Sequence, residues 1–241
     1  MKTTIRADKL LSSLGITSRR GVENFIKSHK VTADGTKITE HGQRIYTKAK
    51  IKVNGEELKK SKKVYFLLNK PKGVVSTARD EFGRRNVVSL IKTDARIFPV
   101  GRLDRDTHGL LILTNDGDLT NMLIHPKYHI GKTYQLAIKG QVQPSHIEKF
   151  ETGIELEDGI TQPARISVIQ KRKDATIVEL TIFEGKKRQI RRMCEAIRLP
   201  LLDLMRIKFG NLTLDDLKEG QYRELTGREV ENLKNLVKNP A

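Results

Sequence analysis

The residues most able to do chemistry lie in the segment GRLDRDTHGLLILTNDGD, residues 101–118. Asp104 follows a strand-like run, with Arg102 and Arg105 flanking it. By residue type alone an aspartate there reads as a turn cap or Asx-turn residue. The pattern Asp104-Arg-Asp106-Thr-His-Gly109 superficially resembles a calcium loop. Such a loop needs a bidentate Glu at its twelfth position, where Asn115 stands. A second cluster, GKKRQIRR at 185–192, holds five basic residues in eight. It reads either as a solvated basic face or as charge aimed at RNA or at an active site. His125 and His129 are four apart, but Pro126 lies between them and no third ligand is evident, so they read as loop histidines and no metal site is expected. The single Cys194 falls on the apolar side of a helical pattern and reads as a small buried hydrophobe. It excludes an internal disulfide and a cysteine-rich zinc site. Neither GxGxxG, GxxxxGK[ST] nor GxSxG occurs, so nucleotide-cofactor binding and a serine-hydrolase elbow have no support.

The 241 residues carry 46 Lys+Arg against 29 Asp+Glu, a net charge of +17. A polyanion, most often nucleic acid, is the partner such a balance implies. The excess is uneven. Residues 1–63 hold 16 basic and 6 acidic residues, net +10, which leaves +7 for the other 178. This division predicts a small basic module, residues 1–60, ahead of a larger domain, residues 64–241, with KKSKK (59–63) as a polar linker. No apolar run approaches the roughly 18 residues of a membrane span, and the N-terminus lacks a secretory h-region, so a cytoplasmic location is expected.

The elements that must position these residues follow from periodicity. Leu10, Leu11 and Leu14 predict a helix stopped by Gly15, and Ser18 can cap a second helix, SRRGVENFIKSHK. Asp34-Gly35 and Asn54-Gly55 mark turns. In the larger domain, strands are predicted at 64–68, 100–103, 109–113, 132–140 and 176–183, with a loop over Asp104–His108. Helices are predicted from Asp116-Gly117 to His125, at 144–153, and at 186–198, where Ile190, Met193, Cys194 and Ile197 share one face. Thr226 and Glu229 form a capping box opening a last helix, 226–239. Strands and helices interleave without βαβ regularity, so the fold class is α+β with a mixed, mainly antiparallel sheet.

Several blocks, in order, resemble the pseudouridine synthases of the G-R-L-D branch that acts on ribosomal RNA. They are LNKPKGVVST (68–77), GRLD (101–104), KTY (132–134), EGKKRQIRRM (184–193) and LMRIKFGNLTL (204–214). RADK, GITSRR and KVNG in the first 60 residues are similar to an S-four-type RNA-binding module. Departures lie elsewhere: Ala7 stands where that module usually has Leu, Asp34-Gly35 where Asn-Gly is common, Arg198 where Gly is common and Met205 where a basic residue is common.

The resemblance implies that Asp104 is the catalytic carboxylate, acting at C1′ or assisting a glycal intermediate. It implies Arg191 as charge partner of Asp104, Tyr134 stacked on the uracil and Ile190 lining the base pocket; Arg102, next but one to Asp104, is a candidate for filling the space vacated by a flipped base or for holding the flipped backbone. Arg19, Arg20, Lys27 and Lys30 are the expected RNA contacts of the small module. The isomerisation needs no cofactor, and a monomer acting on ribosomal RNA is expected. The blocks ITEHGQRI, GRLD with LTNDG, and MLIHPKY fit members that modify large-subunit rRNA. The alternatives are a small-subunit rRNA enzyme, a non-catalytic ribosome assembly factor and a basic DNA-binding protein. A pure binder would not need Asp104, Tyr134 and Arg191 together, and no helix-turn-helix or zinc-finger pattern supports the last.

Overall fold

Alternation of apolar and polar residues is clearest at Ala175–Ile182, which forms a strand whose Thr176, Val178, Leu180 and Ile182 point inward. The computed structural model describes residues 3–58 and 61–238. Lys59 and Lys60, part of the expected linker, and Asn239, the expected end of the last helix, lie outside them. The chain divides into two compact units: Met1–Val64 with Thr93–Arg96 and Asn115–Gly117, and Tyr65–Lys92, Ile97–Thr114 and Asp118–Ala241.

In the first unit, β1 (Thr4–Arg6) leads directly into α1 (Ala7–Ser13). Arg19–Gly21 is a 3-10 turn ahead of α2 (Val22–Ser28), so the second helix begins later than expected. The hydroxyl of Ser18 accepts from the Gly21 N–H (3.0 Å) and so caps the 3-10 turn rather than the helix. Strands β2 (Val31–Ala33), β3 (Thr36–Lys37), β5 (Ile51–Val53) and β6 (Glu56–Glu57) pair as β3-β2-β5-β6, while β4 (Arg44–Tyr46) pairs with β1. Leu10, Leu11, Val22, Ile26, Val31 and Ile51 lie in the apolar core between helices and strands. Asp34 and Asn54 take positive φ at the two turns, as the Asp-Gly and Asn-Gly pairs require.

The second unit holds β7 (Tyr65–Lys70), β8 (Phe98–Pro99), β9 (His108–Thr114), α3 (Gly117–Ile124), β10 (Lys132–Lys139), α4 (Pro144–Thr152), β11 (Arg165–Lys171), β12 (Ala175–Ile182), α5 (Gln189–Ala196), β13 (Leu201–Phe209), β14 (Leu212–Thr213), β15 (Tyr222–Glu224) and α6 (Gly227–Lys238). Their sheet runs β11-β12-β10-β13-β9-β7-β15, with β8 on β9 and β14 on β13. Of the strand pairs in this sheet, only β13–β9 is parallel. The fold is therefore α+β with a mixed, mainly antiparallel sheet. Strand β7 is buried from Phe66 to Lys70, which reflects its position between β9 and β15. On α6, Val230, Leu233 and Val237 enter the core beside Leu67, Leu110 and Phe209. The Thr226–Glu229 capping box forms at its start (2.7 and 3.2 Å). Among the described residues no helix is long and apolar enough to cross a membrane.

Two local features correct the sequence expectations. The strand expected at 100–103 is displaced to Phe98–Pro99. Val100 N–H still donates to Ile112 C=O, but Gly101 takes φ +71° and turns the chain out of the sheet. Leu103 then satisfies both backbone groups on the Ser76 hydroxyl, which donates to its carbonyl (2.8 Å) and accepts from its N–H (3.1 Å). Strand β13, nine residues long, is absent from the expected elements because LLDLMRIKF lacks clean alternation. Its register against β10 shifts twice, which breaks the period of two that sequence patterning relies on.

Candidate active site

The Asp104 loop is held by the preceding block rather than by the sheet. Lys70, at the end of β7, is fully buried, and its ammonium donates to the carbonyls of Thr107 (2.8 Å), Pro71 (3.0 Å) and Asp104 (3.2 Å). Burial lowers the Lys70 pKa to about 8, with the carboxylates of Asp106 and Asp104 opposing the fall. Gly73 N–H donates to Arg105 C=O (2.8 Å), and Thr107 N–H closes the loop on Asp104 C=O (3.1 Å). The segment 70–76 thus fixes Asp104 in space through one lysine, one glycine and one serine.

The Asp104 side chain, 36% exposed, opens into a cavity of about 670 Å³. That volume suits a nucleoside-sized group. One wall is apolar: Tyr134 from β10 (8% exposed), Ile190 from α5, Ile182 from β12 and Leu204 from β13. The other wall is cationic, with Arg102, Lys187, Arg188 and Arg191. Sequence-expected Asp104, Tyr134, Ile190, Arg191 and Arg102 therefore meet in one pocket although they come from three separate stretches of chain.

The ion pairs differ from the expectation. Arg191 reaches Asp106 and Thr107 instead of Asp104: its guanidinium donates to Asp106 C=O (3.2 Å), to the Thr107 hydroxyl (3.2 Å) and lies 3.2 Å from the Asp106 carboxylate. The cation beside Asp104 is Arg188, 4.0 Å from its Oδ2 and 3.4 Å from Asp106 Oδ1. The reason is local. Arg188 precedes α5 in the left-handed region (φ +49°), while Arg191 sits a turn further along the helix, above Thr107. Arg191 Nε remains buried without a partner, a donor left over in the pocket wall.

Sequence reasoning missed Lys70, Ser76 and Arg188 as site residues. Lys70 had no signal beyond its place in a strand-like run, since burial of a lysine is a tertiary property. Arg188 was visible within the basic cluster 185–192, but spacing alone does not say which arginine faces which carboxylate.

The other residues singled out by the sequence lie as follows. Cys194 is buried and its thiol is pushed up to about 12 by burial, so it stays neutral. His125 accepts from the Lys127 N–H (3.3 Å) at a 3-10 turn. In the first unit, Arg19 and Arg6 both pair with Asp8 (3.1 and 3.3 Å). Burial acts to raise the Asp8 pKa, but these arginines hold it below the ordinary carboxylate value. Lys27 pairs with Glu23 (2.8 Å), and Arg20 and Lys30 are exposed.

A family model described as RNA pseudouridylate synthase matches residues 64–196. The chain is 44% identical over 235 residues to "Ribosomal large subunit pseudouridine synthase B" of Bacillus subtilis, covering 96% of both chains. It is 37% identical to an "Uncharacterized RNA pseudouridine synthase" of Aquifex aeolicus over 95% of this chain and 93% of that one. A crystal structure described as a pseudouridylate synthase superposes with a TM-score of 0.70 at 31% identity, covering 95% of this chain and 99% of the other. With Asp104, Tyr134, Ile190 and Arg191 all lying within the matched span, the chain belongs to the RNA pseudouridine synthase family and is an isomerase of uridine in RNA.

Proposed function

We propose that this enzyme isomerises a uridine of large-subunit ribosomal RNA and that Asp104 is its catalytic carboxylate. The observation that carries the reading is Asp104 at the mouth of a nucleoside-sized pocket with an apolar wall and a cationic wall. The end-to-end likeness to a bacterial large-subunit rRNA enzyme supports the choice of substrate.

The reaction breaks N1–C1′ and forms C5–C1′ within one nucleotide. Asp104 either bonds to C1′ as N1 departs with the electron pair, or assists a glycal route. On the first route C5 attacks C1′ as the Asp104–C1′ bond breaks and releases the carboxylate; on the second Asp104 takes the C2′ proton as N1 departs, and that proton returns to C2′ as C5 bonds to C1′ of the glycal. In both, the uracil is held and turned to present C5, N1 gains a proton and the C5 proton is lost. Tyr134 stacks on the uracil, and Ile190 closes the apolar side. Arg188 and Arg191 fasten the 104–107 loop so that the carboxylate is preorganised. Arg191 Nε supplies a free donor for a uracil or ribose oxygen. The target must leave its stack, which costs a few kcal/mol. Arg102, exposed at the pocket edge, fills the space it leaves. The basic first unit, with Arg19, Arg20, Lys27 and Lys30, offsets part of that cost by binding the surrounding RNA as an S-four-type module.

Mapping pseudouridines in both rRNAs, with the wild-type gene, without it and with Asp104→Asn, tests the proposal. One large-subunit site is expected to vanish in the deletion and in Asp104→Asn alike. Loss confined to small-subunit rRNA overturns the substrate, and an Asp104→Asn strain that keeps the site overturns the catalytic assignment.

A further inference from the structure

Phe82 is the most exposed of the large apolar side chains among the described residues, at 80%. A single exposed apolar residue is ordinary on a protein surface. What sets this one apart is how it is held. The loop 77–86 folds around Asp80, whose side chain is only 4% exposed. The Asp80 carboxylate accepts from the backbone N–H groups of Phe82 (3.1 Å) and Arg84 (2.7 Å), and from the Arg84 guanidinium at 2.6 and 3.0 Å. Those same bonds hold the Asp80 pKa below its ordinary value, the Arg84 side chain contributing most. Arg84 in turn lies over the Phe82 ring, 4.9 Å from its centroid. At the base of the loop, Val75 N–H donates to Arg85 C=O (3.1 Å) and Val87 N–H to Val75 C=O (3.0 Å). The loop is thus an ordered turn that presents an aromatic ring, covered by a guanidinium and otherwise open to solvent.

The loop borders the active site. Phe82, Asp80, Arg79 and Arg84 line a groove of about 370 Å³ whose remaining walls include Arg102, Asp104, Arg105 and Lys187. Arg102, Asp104 and Lys187 also line the main pocket. An aromatic face interleaved with five cations, beside the carboxylate that acts on a flipped uridine, matches the chemistry of a single-stranded nucleic acid: bases stack on the ring while phosphates meet the arginines. The five cations outnumber the carboxylates that share the groove, Asp80, Glu81 and Asp104, and Asp80 is taken up by Arg84, so the groove is net positive as an RNA backbone requires; a membrane would meet one aromatic without an apolar neighbour.

We propose that Phe82 is a stacking platform for an unpaired base of the substrate RNA next to the target uridine, with Arg79, Arg84 and Arg105 contacting the adjoining phosphates. This deepens the substrate reading above and rests on it. Asp80 is a positioning residue: it touches no RNA and acts by shaping the loop.

The chain contains no tryptophan, so Phe82→Trp installs a sole fluorescent reporter at the proposed platform. Wild-type protein is first assayed by tritium release from 5-tritiated uridine in both rRNAs. The modified rRNA is then used for the variants, so a wrong subunit assignment appears in the wild type and a wrong Phe82 assignment only in the variants. Saturating RNA is expected to quench Phe82→Trp emission by base stacking, with near wild-type KM. Phe82→Ala and Phe82→Leu are both expected to raise KM roughly 5- to 150-fold, the range of one base–aromatic stack, with a much smaller fall in kcat. Asp80→Asn, which loosens the loop, is expected to shift KM in the same direction. Unchanged emission of Phe82→Trp on RNA binding, or wild-type KM for Phe82→Ala, would overturn the proposal, as would full function of Phe82→Leu, which keeps the bulk and loses the π face.

Discussion

Lys70 shows how one buried side chain can govern a site it does not line. Its three N–H donors match the three carbonyls of Pro71, Asp104 and Thr107. A neutral amine has two donors and a lone pair, and that lone pair would face a carbonyl oxygen. Because the Lys70 pKa is about 8, raising the pH through that value is expected to loosen the Asp104 loop and lower kcat. The sign for stability is opposite. Between about 8 and the unperturbed 10.5 the unfolded lysine keeps a proton that the folded one has lost, so this group makes stability rise with pH across that window. A kcat profile measured beside urea midpoints at the same pH values checks both. A kcat that stays level to pH 9.5 counts against the role of Lys70. Asp104 was singled out by the resemblance its GRLD block carries, whereas Lys70 was not, because nothing in a strand-like run marks which residue ends with no solvent.

At the scale of elements, the site depends on one close crossing. Gly109, five residues after Asp104, lies opposite Arg206 in the parallel β9–β13 pair. Its φ is +103°, and a Cβ there would fall on the Arg206 backbone. Overpacking and backbone strain add at this position. Gly109→Ala is therefore expected to cost about 3 kcal/mol or more and to lower the urea midpoint accordingly, while Gly140→Ala, where a Cβ meets nothing, costs only the strain of its positive φ (+79°). Equal effects of the two substitutions would refute the crossing argument. The sequence reading placed the strand ending near Leu113 and the helix carrying Ile190 and Met193 without error in type, the first as a short unbroken apolar run bounded by turn residues and the second by its one-faced helical spacing. It put the strand before Asp104 too late, because the turn at Gly101 and the Ser76–Leu103 bonds are set by a neighbouring segment. The Arg198 position, where glycine is common in similar chains, has φ +58°, which explains the preference that the sequence alone left as an oddity.

For the whole molecule, the net charge of +17 is a statement about the partner. More than half of it lies in the first 63 residues, where Arg20 and Lys30 are exposed while Arg19 and Lys27 are engaged with Asp8 and Glu23. Each phosphate contact contributes about 0.7–0.9 to the slope of log K against log salt. Arg20→Ala with Lys30→Ala is expected to reduce that slope by about 1.5 and to leave kcat at saturating RNA unchanged. Filter-binding titrations between 50 and 200 mM salt measure it, and a slope equal to wild type would remove these two residues from the interface.

Residue types, spacing and order were enough to determine the family blocks, the α+β class and a polyanionic partner; Asp104 was singled out through the resemblance those blocks carry, and its catalytic role is the proposal made above. The blocks, the class and the partner depend on local pattern and summed charge, which a linear sequence carries in full. The tertiary structure decided which cation stands beside Asp104, that Lys70 is buried beneath it and that Phe82 is displayed at its edge. Those facts depend on which distant segments pack together: 70–76 against 101–107, and the turn before α5 against Asp104 and Asp106. Two arginines three residues apart look equivalent in a helix-edge cluster. The left-handed turn at Arg188 places it between Asp104 and Asp106, while Arg191 reaches Asp106 and the buried Thr107.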